Sequence, residues 1–115
     1  MLLVIVESPY AGEVEKNLAY ARACVRDCIL RGEAPIASHL LLTQQGILDD
    51  TIPEERAMGI CAGIEWYRAA GLSAVYVDRG ISNGMRMGMA AAMRARVPIE
   101  ERALGGEWVR ERFAG

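Results

Sequence analysis

The sequence has no apolar run long enough to cross a bilayer, no CxxC pair, no glycine triplet after its first strand and no excess of basic residues. Each absence removes a class of protein. The amino-terminal "MLLVIVESPY" is too short for a signal h-region, lacks a basic n-region and halts at Glu7 and Pro9, which disfavours secretion. With 13 basic and 15 acidic residues interleaved along the chain and a net charge of -2, no basic face of the kind that neutralises a duplex phosphate backbone is evident, which disfavours duplex nucleic acid as a partner. The three cysteines, Cys24, Cys28 and Cys61, leave an odd thiol over and argue for a reducing, cytoplasmic compartment. Cys24 and Cys28 stand four apart and His39 could join them on a metal, but free core thiols are the expected reading, with no metal and no cofactor. A dinucleotide site is poorly supported without GxGxxG, and a nucleophilic triad has no Ser or Cys at a recognisable elbow.

What is present is an ordinary globular composition, 52% apolar and 24% charged over 115 residues, sized for a single domain spanning 1–115. Leu2 to Val6 reads as a buried strand. Val14, Leu18, Ala21, Val25, Cys28 and Ile29 then alternate steps of three and four, which predicts a helix from Glu13 to about Arg31, ended by Gly32. Ala34 to Ser38 is a weaker strand because of Pro35, and His39 to Asp50 reads as a loop. Thr51 with Glu54 forms a predicted capping box around Pro53, opening a helix through Ala57, Ile60, Cys61, Ile64 and Tyr67 that stops at Gly71. Ser73 to Val77 is the third strand, Asn83 to about Arg94 the third helix, "VPIEE" a fourth strand and "GEWVRERF" a closing helical turn or two. The alternation predicts a small doubly wound α/β domain with a mainly parallel, four-stranded sheet and helices on both faces.

In such a fold ligands sit beyond the carboxyl ends of the strands. Three loops are therefore expected to converge there, carrying Glu7, Ser8, Tyr10 and Gly12, then His39, then Asp78, Ser82, Asn83 and Gly84. The first and third loops each run into a helix start, whose free N–H groups favour anions. Met85, Met87, Met89 and Met93 read as core filler or a subunit contact.

The ordered segments "ESPYAG", "PIASHLLLTQ", "DDTIPEERAMGICAGIEWY" and "VYVDRGISNGMRMGMAAA" resemble the nucleoside 2-deoxyribosyltransferase superfamily, which includes nucleoside-monophosphate glycosidases, and more closely its small uncharacterised bacterial and phage relatives. The resemblance implies a Rossmann-like fold and a helix start written Gly, any residue, Glu, Leu or Ile, Gly, with the Glu as nucleophile. The matching segment here is Gly84-Met85-Arg86-Met87-Gly88, so Arg86 occupies the nucleophile's position. A guanidinium cannot form a glycosyl ester. The resemblance also implies that Asp78 lies near a sugar or base, that Tyr10 contacts ligand, and that the chain forms a homo-oligomer, a dimer or larger.

Two functions follow as expectations. The first is a nucleotide-binding protein, a sensor or sponge of a nucleotide signal, holding its ligand through Arg86, Ser8, Tyr10 and Asp78. The alternative is an enzyme cleaving or transferring an N-glycosidic bond of nucleosides or nucleoside monophosphates through Asp78 or Glu7.

Overall fold

A computed structural model describes residues 1–108. The elements alternate as the apolar periodicity requires: β1 (Leu3–Glu7), α1 (Val14–Leu30), β2 (Ala34–Ile36), α2 (Ser38–Leu41), α3 (Pro53–Glu65), a 3-10 turn at Trp66–Arg68, β3 (Leu72–Tyr76), α4 (Asn83–Arg94), β4 (Ile99–Arg102) and a 3-10 turn at Gly106–Trp108. The four strands form one sheet in the order β2-β1-β3-β4, every pair parallel. From β1 the chain moves to one side for β2 and to the other for β3. The strand order thus reverses beside β1, which opens a crevice at its carboxyl end.

Alternation along β1 divides the core between two layers. Val4 and Val6 join Tyr20, Cys24, Cys28, Ala37, Ala74 and Tyr76 on the α1 face, while Ile5 joins Tyr67, Ala91, Ala92 and Val97 on the α4 face. The next odd position, Glu7, therefore points to the α4 face. A carboxyl is delivered into a layer that is otherwise apolar.

Several local expectations are corrected. Strand β2 ends at Ile36, two residues short of the predicted end, and His39 sits on the short helix α2 rather than in a loop. The Thr51–Glu54 capping box does not form, because the N-cap of α3 is Ile52 and Pro53 opens the helix. Thr51 instead donates its hydroxyl (2.6 Å) and its N–H (2.9 Å) to Asp49 Oδ1, an Asx turn that competes with the cap. Helix α3 tightens to a 3-10 turn after Glu65, and its predicted apolar face is only partly used: Tyr67 and Gly63 are buried, whereas Ala57 and Cys61 face solvent. A capping box that was not foreseen forms at α4, where Ser82 Oγ accepts the Met85 N–H at 3.2 Å and the Ser82 N–H donates to Met85 Sδ at 3.4 Å. Of the predicted closing helix, Val109 to Phe113 lie outside the described residues.

Among the described residues no helix is long and apolar enough to cross a membrane. Cys24 and Cys28 are buried in the α1 layer, and Cys61 is exposed.

Candidate functional site

The crevice beyond β1 is a cavity of about 460 Å³. Glu7 lies on its β1 side, Ser38 and His39 of α2 and Tyr10 of the first loop flank it, α3 closes one side with Arg56, Gly59 and Ile60, and the amino end of α4 closes the other. An adjoining hollow, which Gly12 helps to line, shares Tyr10, Thr43, Leu48 and Asp50 with it.

Glu7 is the group whose chemistry is most altered. Burial pushes its carboxyl up to about 7, against the pull of a hydrogen bond that the Tyr67 hydroxyl donates to Oε1. Tyr67 reaches it from the 3-10 turn after α3, where the change of helical pitch turns the ring inward. The same burial, with Glu7 beside it, holds the Tyr67 phenol well above its ordinary range, so it remains a donor. The carboxyl also rests against the backbone of α4. A Cβ at Gly88 would stand 2.5 Å from both Glu7 oxygens, so only glycine leaves that carboxyl its place. Gly88→Ala is accordingly expected to displace Glu7 and to return its titration toward the usual carboxylate range, which carboxyl-selective NMR titration would read; an unmoved titration would contradict this packing.

His39 is held from behind by Ser8, whose buried hydroxyl lies 2.7 Å from Nε2. Burial pushes the imidazole down to about 4, so at neutral pH the ring is uncharged and offers the cavity a hydrogen bond without a charge. Position α2 can approach α3 this closely because Gly63 has no side chain: a Cβ there would meet Ser38 Oγ at 2.7 Å.

The charged groups on the cavity wall are Glu7, Asp50, Glu55 and Arg56. Three carboxyls face one guanidinium. With Glu7 half-protonated near neutrality, the lining suits an uncharged, hydroxyl-rich ligand better than a polyanion.

Of the residues singled out from sequence, Glu7, Tyr10, His39, Ser82, Asn83 and Gly84 meet at this cavity, with Ser8 directly behind His39. Gly12 lines only the adjoining hollow. Asp78 and Arg86 do not line the cavity. The Asp78 oxygens are taken by the Tyr20 hydroxyl at 2.7 Å and by the N–H groups of Leu104 and Gly105, each at 2.8 Å. Burial alone would raise its pKa, but these donors hold it below the ordinary value. Asp78 thereby fastens the segment after β4 to the carboxyl end of β3. Arg86 is exposed on α4, and its guanidinium donates to Asn83 Oδ1 at 3.5 Å.

Sequence reasoning passed over Tyr67 and the α3 wall. Tyr67 had been assigned only as an apolar position of a helix face, and nothing local signals its pairing with a carboxyl 60 residues away.

No curated protein matches the sequence. A solved structure of a 2-deoxyribosyltransferase from the psychrotolerant bacterium Bacillus psychrosaccharolyticus is similar over 94% of this chain and 77% of its own, with a TM-score of 0.62 at 15% identity. That likeness shows a shared deoxyribosyltransferase-like, Rossmann-like fold. A family described as a domain of unknown function, DUF7768, matches residues 2–102, and the chain belongs to that family.

Proposed function

We propose that the cavity takes a nucleoside-class ligand and that Glu7 acts on its N-glycosidic bond. The observation that carries this reading is the Glu7 carboxyl, placed on the wall of the crevice with a pKa of about 7. A carboxyl that exchanges its proton near neutrality is suited to act as base and then as acid. The fold shared with a 2-deoxyribosyltransferase supports the ligand class. In this scheme a carboxyl reaches the crevice from β1 rather than from α4, where Arg86 stands.

The chemistry balances with water alone. Ionised Glu7 withdraws a proton from a water molecule as its oxygen bonds to the anomeric carbon. The bond from that carbon to the base nitrogen breaks, its electron pair leaves with the base, and the proton on Glu7 passes to that nitrogen. Tyr67 positions Glu7 by donating to Oε1 and leaves Oε2 for the ligand or the water. His39 supplies an uncharged hydrogen bond to a ring atom or hydroxyl.

Since the ionised form starts the reaction, kcat/KM for base release should rise with pH through about 7 and level off above it. Free base would be followed by chromatography over a pH series. A profile flat through that region, with measurable release, would remove Glu7 as the base.

A second reading, binding without turnover, is favoured by the guanidinium at Arg86, which stands where the resembled family carries its nucleophile. Here Glu7 in its neutral form would donate a hydrogen bond to a retained ligand. The exposed position of Arg86 outside the cavity gives no support to a phosphate clamp at that residue. Calorimetry with nucleosides and nucleoside monophosphates separates the readings. Saturable binding with no base released supports binding alone, and no binding by any member of the panel overturns both.

A further inference from the structure

The two ends of the cavity differ in chemistry. Tyr67, which bonds Glu7, stands beyond the carboxyl end of α3, whereas Arg56 stands near its amino end and is exposed. Arg56 and Gly63 both line the cavity, seven residues apart, which is about 10 Å at 1.5 Å per residue. The lining thus runs from Glu7, Tyr67 and His39 at the strand end to Asp50, Glu55 and Arg56 on the solvent side. That is the length of a nucleoside rather than of a sugar alone.

At the outer end one carboxylate and one guanidinium are left free. Asp49 Oδ1 is taken by the N–H and hydroxyl of Thr51, and Glu55 Oε1 by the Asp49 N–H at 3.1 Å. Between these ties stands Asp50, half-buried, on the wall that the cavity shares with the adjoining hollow. The ties hold the backbone at Asp50 in place before a ligand arrives. Among the described residues the Asp50 side chain has no hydrogen bond or ion pair, and neither has that of Arg56, although both line the same cavity.

A carboxylate only accepts and a guanidinium only donates, so together they select a ligand that carries donors and acceptors side by side. A phosphate satisfies Arg56 alone and is repelled by Asp50 and Glu55. An ammonium satisfies Asp50 and is repelled by Arg56. The edge of a nucleobase offers both functions without net charge, and guanine alone among the common bases sets two adjacent donors, N1–H and the N2 amino group, beside a carbonyl oxygen. A carboxylate can take both donors, and arginine pairs readily with guanine O6 and N7. Adenine turns an amino group toward the guanidinium instead, and hypoxanthine lacks the N2 amino group.

We infer that Asp50 and Arg56 read the base, Asp50 accepting from N1–H and the N2 amino group of a guanine and Arg56 donating to its O6, so that the preferred ligand is a guanine nucleoside. This rests on the nucleoside reading of the cavity: with the sugar beside Glu7, the base lies toward the solvent side, where it can leave once its bond is broken.

The test measures binding of guanosine, inosine, adenosine and cytidine, and of their 2′-deoxy counterparts, to the full chain by calorimetry, with base release followed in the same samples. Guanosine should bind tighter than adenosine by roughly tenfold or more, with inosine between them. Asp50→Ala should bring guanosine and inosine within about twofold of each other, and Arg56→Met should narrow the gap to adenosine. Neither change should move the thermal melt, since neither side chain has a partner among the described residues. Nucleosides bound without preference for guanine, or a preference that survives in Asp50→Ala, would overturn the base reading and leave the nucleoside site standing. Binding of none of them would overturn the site itself and this inference with it.

Discussion

Replacing Glu7 by glutamine should stabilise the fold at pH 8 by roughly 3 kcal/mol, or a rise of roughly 10 °C in Tm, while removing the activity assigned to the site. The sign follows from the two titrations. In the unfolded chain the carboxyl titrates near 4.5 and in the fold near 7. Below 4.5 both states hold the proton, and the group makes no difference to stability. Between the two values the folded state retains a proton that the unfolded state has lost, so stability falls as pH rises; above 7 the whole penalty of ionising a buried carboxyl is present. At about 1.4 kcal/mol per pH unit this gives the figure above. Glutamine keeps the acceptor for the Tyr67 hydroxyl and cannot ionise, so the difference between variant and wild type should grow through that window.

His39 acts in the opposite direction. Its imidazole titrates near 6.5 unfolded and near 4 in the fold, so acidification between those values protonates the unfolded state alone and destabilises the protein. In the wild type the two slopes oppose each other where the windows overlap. Glu7→Gln should unmask the histidine slope, and urea unfolding as a function of pH would show it. Parallel pH profiles for variant and wild type would mean that the carboxyl is not desolvated in solution. A site that costs stability in its working ionisation state is the pattern expected where activity and stability conflict.

The second large effect lies on the other face of the sheet. Arg102 at the end of β4 has a side chain only 4% exposed, and it donates to both oxygens of Glu33, at 2.7 Å and 2.6 Å. Its Nε donates to Glu100 at 2.8 Å, and its Nη1 lies 3.3 Å from the Tyr76 hydroxyl, which in turn donates to Asp27 at 2.7 Å. These bonds tie β4 to the carboxyl end of α1 and to the residue before β2. The guanidinium is held above its ordinary range chiefly by Glu33, and Glu33 below its own chiefly by Arg102. Arg102→Ala leaves a nearly buried carboxylate without its partner, and the expected loss is about 3–5 kcal/mol. Removing both charges, as Arg102→Met with Glu33→Leu, should recover most of that loss, because the pair's mutual attraction largely offsets its own desolvation. Chemical denaturation of the single and double variants would check this. A double variant as unstable as Arg102→Ala would show that the network contributes more than the pairing of these charges.

The sequence carried the architecture because the architecture is periodic. The continuous apolar run of β1 and the apolar steps of three and four in α1 are strong signals, and the predicted bounds of α4, Asn83 to Arg94, coincide with the structure. The failures came where one residue had two available partners. Thr51 could cap a helix or bond Asp49, and Pro53 at the first helical position decided it by moving the N-cap to Ile52. Ser38 and His39 turn into helix α2 at the crevice, which no propensity of four residues could announce.

The site was legible in part for the same reason. That Glu7 stands at a strand end follows from the pattern, and strand ends are where this fold binds. Which acidic strand end is the reactive one does not follow. Asp78 and Glu7 look alike in sequence, but Asp78 meets two backbone N–H groups from beyond β4, whereas Glu7 meets one phenol and the bare backbone of Gly88. Those contacts separate a tying carboxylate from a protonatable one, and all are long-range. The exposed position of Arg86 likewise depends on how α4 is rotated by the burial of Met85 and Ala92, a tertiary matter.

The most direct measurement is base release from a panel of nucleosides and nucleoside monophosphates by wild type, Glu7→Gln and Arg86→Ala at pH 8, with ligand binding to each followed by calorimetry. The account predicts release by wild type, its loss in Glu7→Gln with binding retained, and little change in Arg86→Ala. Release that persists in Glu7→Gln, or that disappears in Arg86→Ala, would contradict it.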